Sequence, residues 1–209
     1  MYGPLTRLPA DEATECHPDI TYEITKLEGE RLVAQFRDQV STVIVRPAWV
    51  YGPRCPRTLK LFRTIAKRRF VIVGQGENLR HPVYIDDMVA AFELAATRPN
   101  VDGQTFIIAS DEAVRLRELV DEIIRVQGLS YRPMRLPLPL VWSMCYGVEK
   151  VFSLLNREPP FSTRSIKFFT ESSAFNISRA EKRLGYRPRT RLRDGLAATH
   201  ERFRRDGLL

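Results

Sequence analysis

A chain of 209 residues with 44% hydrophobic content can bury a core of its own, which excludes a disordered tail and fits one domain or a larger and a smaller lobe. The formal net charge is +8 and 27 of the 33 basic residues are arginine, so phosphate-bearing partners such as nucleic acid, a dinucleotide or a nucleotide sugar come into consideration. Basic residues are scattered among acidic ones along the whole length without a nucleic-acid fold signature, so no nucleic-acid partner is expected.

Cys16, Cys55 and Cys145 are odd in number and far apart, which excludes a disulfide framework or a zinc site. No metal is expected, and a reducing cytoplasm fits best. Met1-Tyr2-Gly3-Pro4 has neither the basic start nor the apolar run of a signal peptide, and no long uncharged span follows. The nearest approach to one, Leu136 to Leu155, holds two prolines and Glu149-Lys150. It reads as an amphipathic helix covering a substrate pocket, with peripheral membrane contact as the alternative.

In chain order, Met1 to Pro18 is a proline-broken loop. Asp19 is the expected N-cap of a helix that carries Tyr22 and Lys26 and runs to about Gln39. Ser41 to Arg46 is a β-branched run ended by Pro47, as in a buried parallel strand. A connection over Ala48 to Pro56 leads to a basic helix from about Arg57 to Arg69. Phe70 to Val73 and His81 to Ile85 are strand-like and joined by Gly74-Gln75-Gly76, which lacks the third glycine and the close helix of a dinucleotide fingerprint.

Asp86 opens a helix ending near Arg98, in agreement with the helix dipole. Gln104 to Ala109 is a strand. Leu116 to Val126 is an amphipathic helix stopped at Gly128, with Leu119, Ile123 and Val126 at helical spacing. Arg132 to Leu136 reads as a strand, Leu138 to Leu155 as a helix, and a polar segment runs through Pro159-Pro160 to Phe169. Ser178-Arg179-Ala180-Glu181 resembles a capping box opening a helix to Leu184, stopped by Gly185, and Leu192 to Arg205 is a terminal basic helix. Strands alternate with helices throughout, so the class is α/β.

Four residues apart on one helix, Tyr22, Lys26 and Glu30 share a face. An ammonium one turn from a phenol favours the phenolate, which can take a proton from an alcohol near neutral pH. The spacing alone equally fits a surface helix carrying an ordinary pair.

Four blocks in order carry a resemblance. Tyr22-x-x-x-Lys26 is followed by Val45-Arg46-Pro47-Ala48-Trp49-Val50-Tyr51-Gly52-Pro53-Arg54, then by Val83-Tyr84-Ile85-Asp86-Asp87-Met88-Val89. Phe175-Asn176-Ile177-Ser178-Arg179-Ala180 with Leu184-Gly185-Tyr186-Arg187-Pro188 and Gly195-Leu196 closes the set. The chain resembles the C-terminal two-thirds of an extended short-chain dehydrogenase/reductase of the NAD-dependent epimerase/dehydratase family. That resemblance implies an incomplete Rossmann-type, doubly wound parallel sheet with a smaller C-terminal α/β substrate lobe. Residues 1–52, with about 81–110 returning to them, would belong to the dinucleotide-binding domain, and 53–80 and 111–209 mainly to the substrate lobe.

The family's glycine-rich turn, where a pyrophosphate meets a helix N-terminus, has no counterpart here, and neither has its catalytic Ser/Thr. The expectation is therefore a sequence that begins mid-domain. Such a chain would expose an unpaired strand edge, fold poorly alone and be inactive in isolation.

For the intact protein the resemblance implies NAD or NADP as cofactor, Tyr22 as the base and Lys26 as the group that holds the ribose and lowers the tyrosine pKa. Pro47 and Val50 would border the nicotinamide, and a homodimer is expected. Arg80, Arg54 and Tyr84 are the candidate substrate contacts. Arg80 stands where sugar-nucleotide members carry a cation for the diphosphate, with surface pairing to Glu77 as its alternative. The rival substrate is a 3β-hydroxysteroid or similar apolar alcohol, favoured by Leu136 to Leu155 and by Phe152, Phe161, Phe168 and Phe169, for which core packing is the plainer expectation. A third reading is a catalytically incomplete fragment that binds a partner subunit through the Tyr22 helix.

Overall fold

A β-branched run is realised as a buried strand only where a neighbour supplies its ladder, and Ile44–Pro47 (β1) finds Thr105–Ile108 (β6), with Ile44 opposite Thr105 and Pro47 opposite Ile108 in parallel register. The computed structural model describes residues 2–154 and 163–209. Ile44 N and Ala48 N donate toward β6, to Gln104 O and Ile108 O at 2.9 Å each. Alternation therefore turns Pro47, which has no N–H, toward the other edge of β1. Among the described residues no strand pairs with that edge.

Trp49–Tyr51 (β2) pairs in parallel with Pro82–Tyr84 (β5), and Val71–Val73 (β3) with Met134–Leu136 (β8). Leu79–Arg80 (β4) pairs antiparallel with Val114–Arg115 (β7). The helices are Thr21–Gln35 (α1), Pro56–Ala66 (α2), Ile85–Thr97 (α3), Leu116–Val126 (α4), Leu138–Leu154 (α5), Thr163–Thr170 (α6) and Leu192–Arg205 (α7). The architecture is α/β with parallel pairs, a partial Rossmann fold.

Two apolar clusters form the interior. In the first, Val83, Met88 and Ala91 meet Phe106, Ile107 and Ile108, and residues 177–186 close over them through Ile177, Leu184 and Tyr186. The second joins Tyr51 and Phe62 to the apolar face of α4 and to Leu196 and Phe203 of α7. Gly195 is obligatory in that second cluster, because a Cβ there would lie 2.2 Å from the Tyr51 hydroxyl oxygen. The burial that packs Tyr51 beside Tyr84 also pushes its hydroxyl pKa well up.

The structure corrects several expectations. Asp19 does not cap α1. Ile20 holds that position without a side-chain cap, and the Asp19 carboxylate accepts from Lys167 Nζ of α6 instead. α1 stops at Gln35, where Phe36 N turns back to Val33 O at 3.1 Å. The connection expected over 48–56 contains β2, and β4 and β7 were not foreseen, being only two residues each. Ser178 opens no capping box. Asn176 Oδ1 accepts from Ser178 N at 2.9 Å, and the turn that follows is five π-helical residues, Ala180–Leu184, closed by Gly185 at φ 72°. Pro159-Pro160, Phe161 and the expected helix end at Leu155 lie outside the described residues.

Candidate functional site

α1 buries none of its residues, and one of its faces carries the candidate acid/base pair. Tyr22 is 64% exposed, and Lys26 Nζ lies 5.4 Å from the centroid of its ring. One further turn along, Glu30 receives a forked contact from Arg46 of β1, with Nε to Oε1 at 3.0 Å and Nη2 to Oε2 at 2.7 Å. Both side chains are largely shielded, at 13% and 15% exposure, and Arg46 Nη1 also donates to the Tyr2 hydroxyl at 2.8 Å. Burial alone would lower the Arg46 pKa, but its bonds to Glu30 and Tyr2 outweigh that and hold it above the ordinary arginine value. The pair thus joins a point one turn from Lys26 to a point one residue from Pro47.

Pro47 is exposed at the end of β1, and Val50 is half-buried at the margin of the first cluster. The candidate substrate residues do not converge. Arg54 is exposed in the loop after β2 at φ 66°. Tyr84 points into the interior, its ring 5.5 Å from that of Tyr51.

Arg80 is half-buried with its guanidinium 4.5 Å above the ring of Phe168, and it donates to Phe168 O and, at 3.4 Å, to Lys167 O at the C-terminal end of α6. A cation suits that end of a helix. Burial pushes the Arg80 pKa down to about 10, against a smaller opposing effect of Glu171, and its Nε is buried without a hydrogen-bond partner. The alternative pairing with Glu77 is not made. Glu77 pairs with Arg115 and Arg117, which the β4–β7 ladder brings beside it.

The next residue of α6, Phe169, lines an apolar cavity of about 270 Å³ between the β3–β8 pair and helices α5 and α6. Val71, Val73, Leu136, Val141 and Cys145 complete most of its wall. Burial raises the Cys145 thiol pKa, with Glu149 acting in the same direction. Phe168 and Phe169 meet edge to face at 5.1 Å and pack against the second cluster, so core packing and cavity lining coexist in this pair.

Two buried polar groups escaped sequence reasoning. His81 Nδ1 accepts from Phe175 N at 3.0 Å and its Nε2 contacts Ser110 O at 2.8 Å, which fixes the neutral tautomer with the proton on Nε2. Burial lowers its pKa, against smaller raising effects of Ser110 and Asp111. Asp87 accepts from Arg189 N and Thr190 N at 3.0 and 3.1 Å, tying the start of α3 to the approach to α7. Its signal was an acid in the first turn of a helix, which by itself names no partner. Among the described residues no group of three or more His, Cys, Asp or Glu could hold a metal ion.

The model of the NAD dependent epimerase/dehydratase family matches residues 1–109. The chain belongs to that family. Among curated relatives of this epimerase/dehydratase-family chain, the 3beta-hydroxysteroid-dehydrogenase/decarboxylase isoform 1 of Arabidopsis thaliana is 26% identical, over 94% of this chain and 49% of that protein. The decarboxylating sterol-4-alpha-carboxylate 3-dehydrogenase of Candida albicans is 30% identical, over 88% of this chain and 56% of that protein. The crystal structure of a UDP-glucose 4-epimerase with UDP-glucose from Thermotoga maritima superposes with a TM-score of 0.75 at 24% identity, over 98% of this chain and 60% of that one. The chain spans about half the length of the curated relatives it matches.

The family is NAD-dependent. Among the described residues, Tyr22 and Lys26 present a hydroxyl and an ammonium on one exposed helix face, donors of the kind a bound dinucleotide could use, and Pro47 is exposed next to Arg46. They do not offer the pyrophosphate cradle. Gly74 and Gly76 close the turn between β3 and β4 rather than opening a helix.

Proposed function

We propose that the whole protein is an NAD(P)-dependent oxidoreductase acting on the secondary hydroxyl of an apolar alcohol. Tyr22 takes the hydroxyl proton as phenolate, and Lys26 stabilises that charge and donates to the ribose. The bound nicotinamide supplies the hydride acceptor. Pro47 and Val50 border it and keep water from one side.

The observation that carries the substrate class is the cavity beside α6. Its wall is aliphatic and aromatic, which suits a ring system or chain and gives a diphosphate nothing to bind. The names of the sterol-acting relatives support the same reading.

A nucleotide sugar is the second reading. It is favoured by Arg80, whose buried Nε lacks a partner and could turn from the α6 carbonyls to a phosphate. On our reading the protein works as a cytoplasmic homodimer. Its three cysteines are free, as a reducing compartment would leave them.

In an active preparation, Tyr22→Phe should lower turnover by about a hundredfold to ten-thousandfold and leave the cofactor dissociation constant nearly unchanged. Lys26→Ala should lose both. Arg80→Leu sorts the substrates. On the first reading steroid oxidation persists and UDP-sugars never bind. A tenfold or greater loss of UDP-sugar affinity would establish the second.

A further inference from the structure

We propose that Asn78 is the positioning residue of the apolar cavity, its side-chain amide holding the C-terminal end of α6 and with it Ile166 and Phe169 in the cavity wall. The last carbonyls of a helix have no partner within it and take donors from elsewhere. At α6 those donors come from β4 and the residue before it. Asn78 Nδ2 donates to Phe168 O at 3.1 Å and to Glu171 O at 3.2 Å, and Arg80 donates to Phe168 O as well. The backbone joins in, with Leu79 N donating to Ser172 Oγ at 3.0 Å and Ser173 N to Leu79 O at 2.9 Å. The same stretch is tied to α4, whose first two residues donate from Leu116 N to Asn78 O and from Arg117 N to Gly76 O, at 2.9 and 3.0 Å. The end of α6 is thereby linked to a helix that is packed along its inner face.

Asn78 is 8% exposed, and its Oδ1 is buried without a hydrogen-bond partner. The amide is thus placed for its two donors, leaving an acceptor unmet. Those donors reach carbonyls three residues apart, one in the last turn of α6 and one just beyond it. Two such points fix the rotation of a helix about its own axis, which one point cannot. Rotation matters here, because Ile166 and Phe169, also three apart, share the face that α6 turns to the cavity, against β3 and α5. The other ties at this end are looser. Lys167 pairs with Asp19 and Glu171 through a partly exposed ammonium, and Arg80 reaches only the adjacent carbonyls of Lys167 and Phe168, through one nitrogen. The consequence for the substrate rests on the apolar-alcohol reading, whereas the hold on α6 does not.

The test is titration calorimetry of the full chain with a soluble 3β-hydroxysteroid, paired with hydrogen exchange. Asn78→Leu, which has no donor, should lower steroid affinity at least about tenfold and speed exchange over residues 166–173, while residues 105–108 of β6 keep their protection. Asn78→Asp, which turns a carboxylate toward those carbonyls, should lose at least as much. Arg80→Leu should leave steroid affinity nearly unchanged. Should Asn78→Leu fail to fold, Asn78→Ser, with one short donor in place of two, carries the same expectations. Unchanged affinity in a folded Asn78 variant overturns the proposal. So does exchange that rises over residues 105–108 as much as over 166–173, since Asn78 would then be one more contact holding the whole fold. A loss from Arg80→Leu as large as that from Asn78→Leu overturns it too. A parent that binds no steroid removes the apolar-alcohol reading, and exchange alone then decides the hold on α6. Acceleration confined to residues 166–173 in the Asn78 variants upholds it, and its absence overturns it.

Discussion

Helices α1 and α4 show two ways of holding a helix in one molecule. α4 turns Leu116, Leu119, Val120, Ile123 and Ile124 inward and buries all five between α2 and α7. α1 is longer, buries nothing, and leaves Ile24, Leu32 and Val33 exposed. What ties α1 to β1 is the fork from Arg46 to Glu30. The difference has a consequence for function. A packed helix is fixed by many small contacts and tolerates the loss of one polar group. A helix with little packing depends more on such a fork, and α1 is the helix with the candidate pair Tyr22 and Lys26.

The largest expected effect is the loss of packing in α4. Leu119→Ala should cost about 2 to 5 kcal/mol, because the removed methyls leave a cavity that the surroundings refill only in part. Leu32→Ala in α1 should stay within about 0.5 kcal/mol, as surface changes do. Urea unfolding of both variants checks the pair. Equal costs would mean that something covers α1 in solution, and the contrast between the helices would fall.

The same contrast governs how much could be read from the sequence. α4 and α7 are found with the bounds that periodicity gave, since their buried residues recur at helical spacing and tertiary packing agrees with local preference. β2 is three residues, β4 and β7 two each, too short to carry any period. On the site, four-residue spacing placed Lys26 against Tyr22, because that contact is local. Arg80 shows the limit. Its nearest acid in sequence, Glu77, is taken by Arg115 and Arg117 across the β4–β7 ladder, and its own acceptors lie 87 and 88 residues away. The cavity depends likewise on β3 meeting β8, a pairing that neither run announces by itself.

A middle-sized effect tests the ion pair directly. Glu30→Gln keeps the shape and removes the charge, and it should cost about 1.5 to 3 kcal/mol locally, the range for hydrogen bonds to charged groups. Hydrogen exchange should show it as faster exchange over residues 21–35 with α4 unchanged. If protection is lost in both helices alike, α1 is not separately anchored. Restoration by exchanging the partners, Glu30→Arg with Arg46→Glu, would show that charge rather than shape holds the helix.

The smallest effect comes from pH and acts on the packed side of the comparison. His81 is buried between β5, the end of β6 and Phe175, and it must stay neutral there, because Nδ1 accepts from Phe175 N. Burial holds its folded pKa below the ordinary 6.5, so the unfolded chain takes up the proton first as the medium is acidified. Stability attributable to His81 is therefore full above pH 6.5 and falls as the pH drops through that value, with the loss ending once the folded group is also protonated. His200, lowered by burial and by Arg204, adds to the same trend. Unfolding midpoints between pH 8 and pH 5 should decline for the parent and decline less for His81→Gln, which starts lower but has no proton to gain at that position. Exchange over residues 21–35 should not follow the same curve. An acid limb identical in parent and variant would place the titrating group elsewhere.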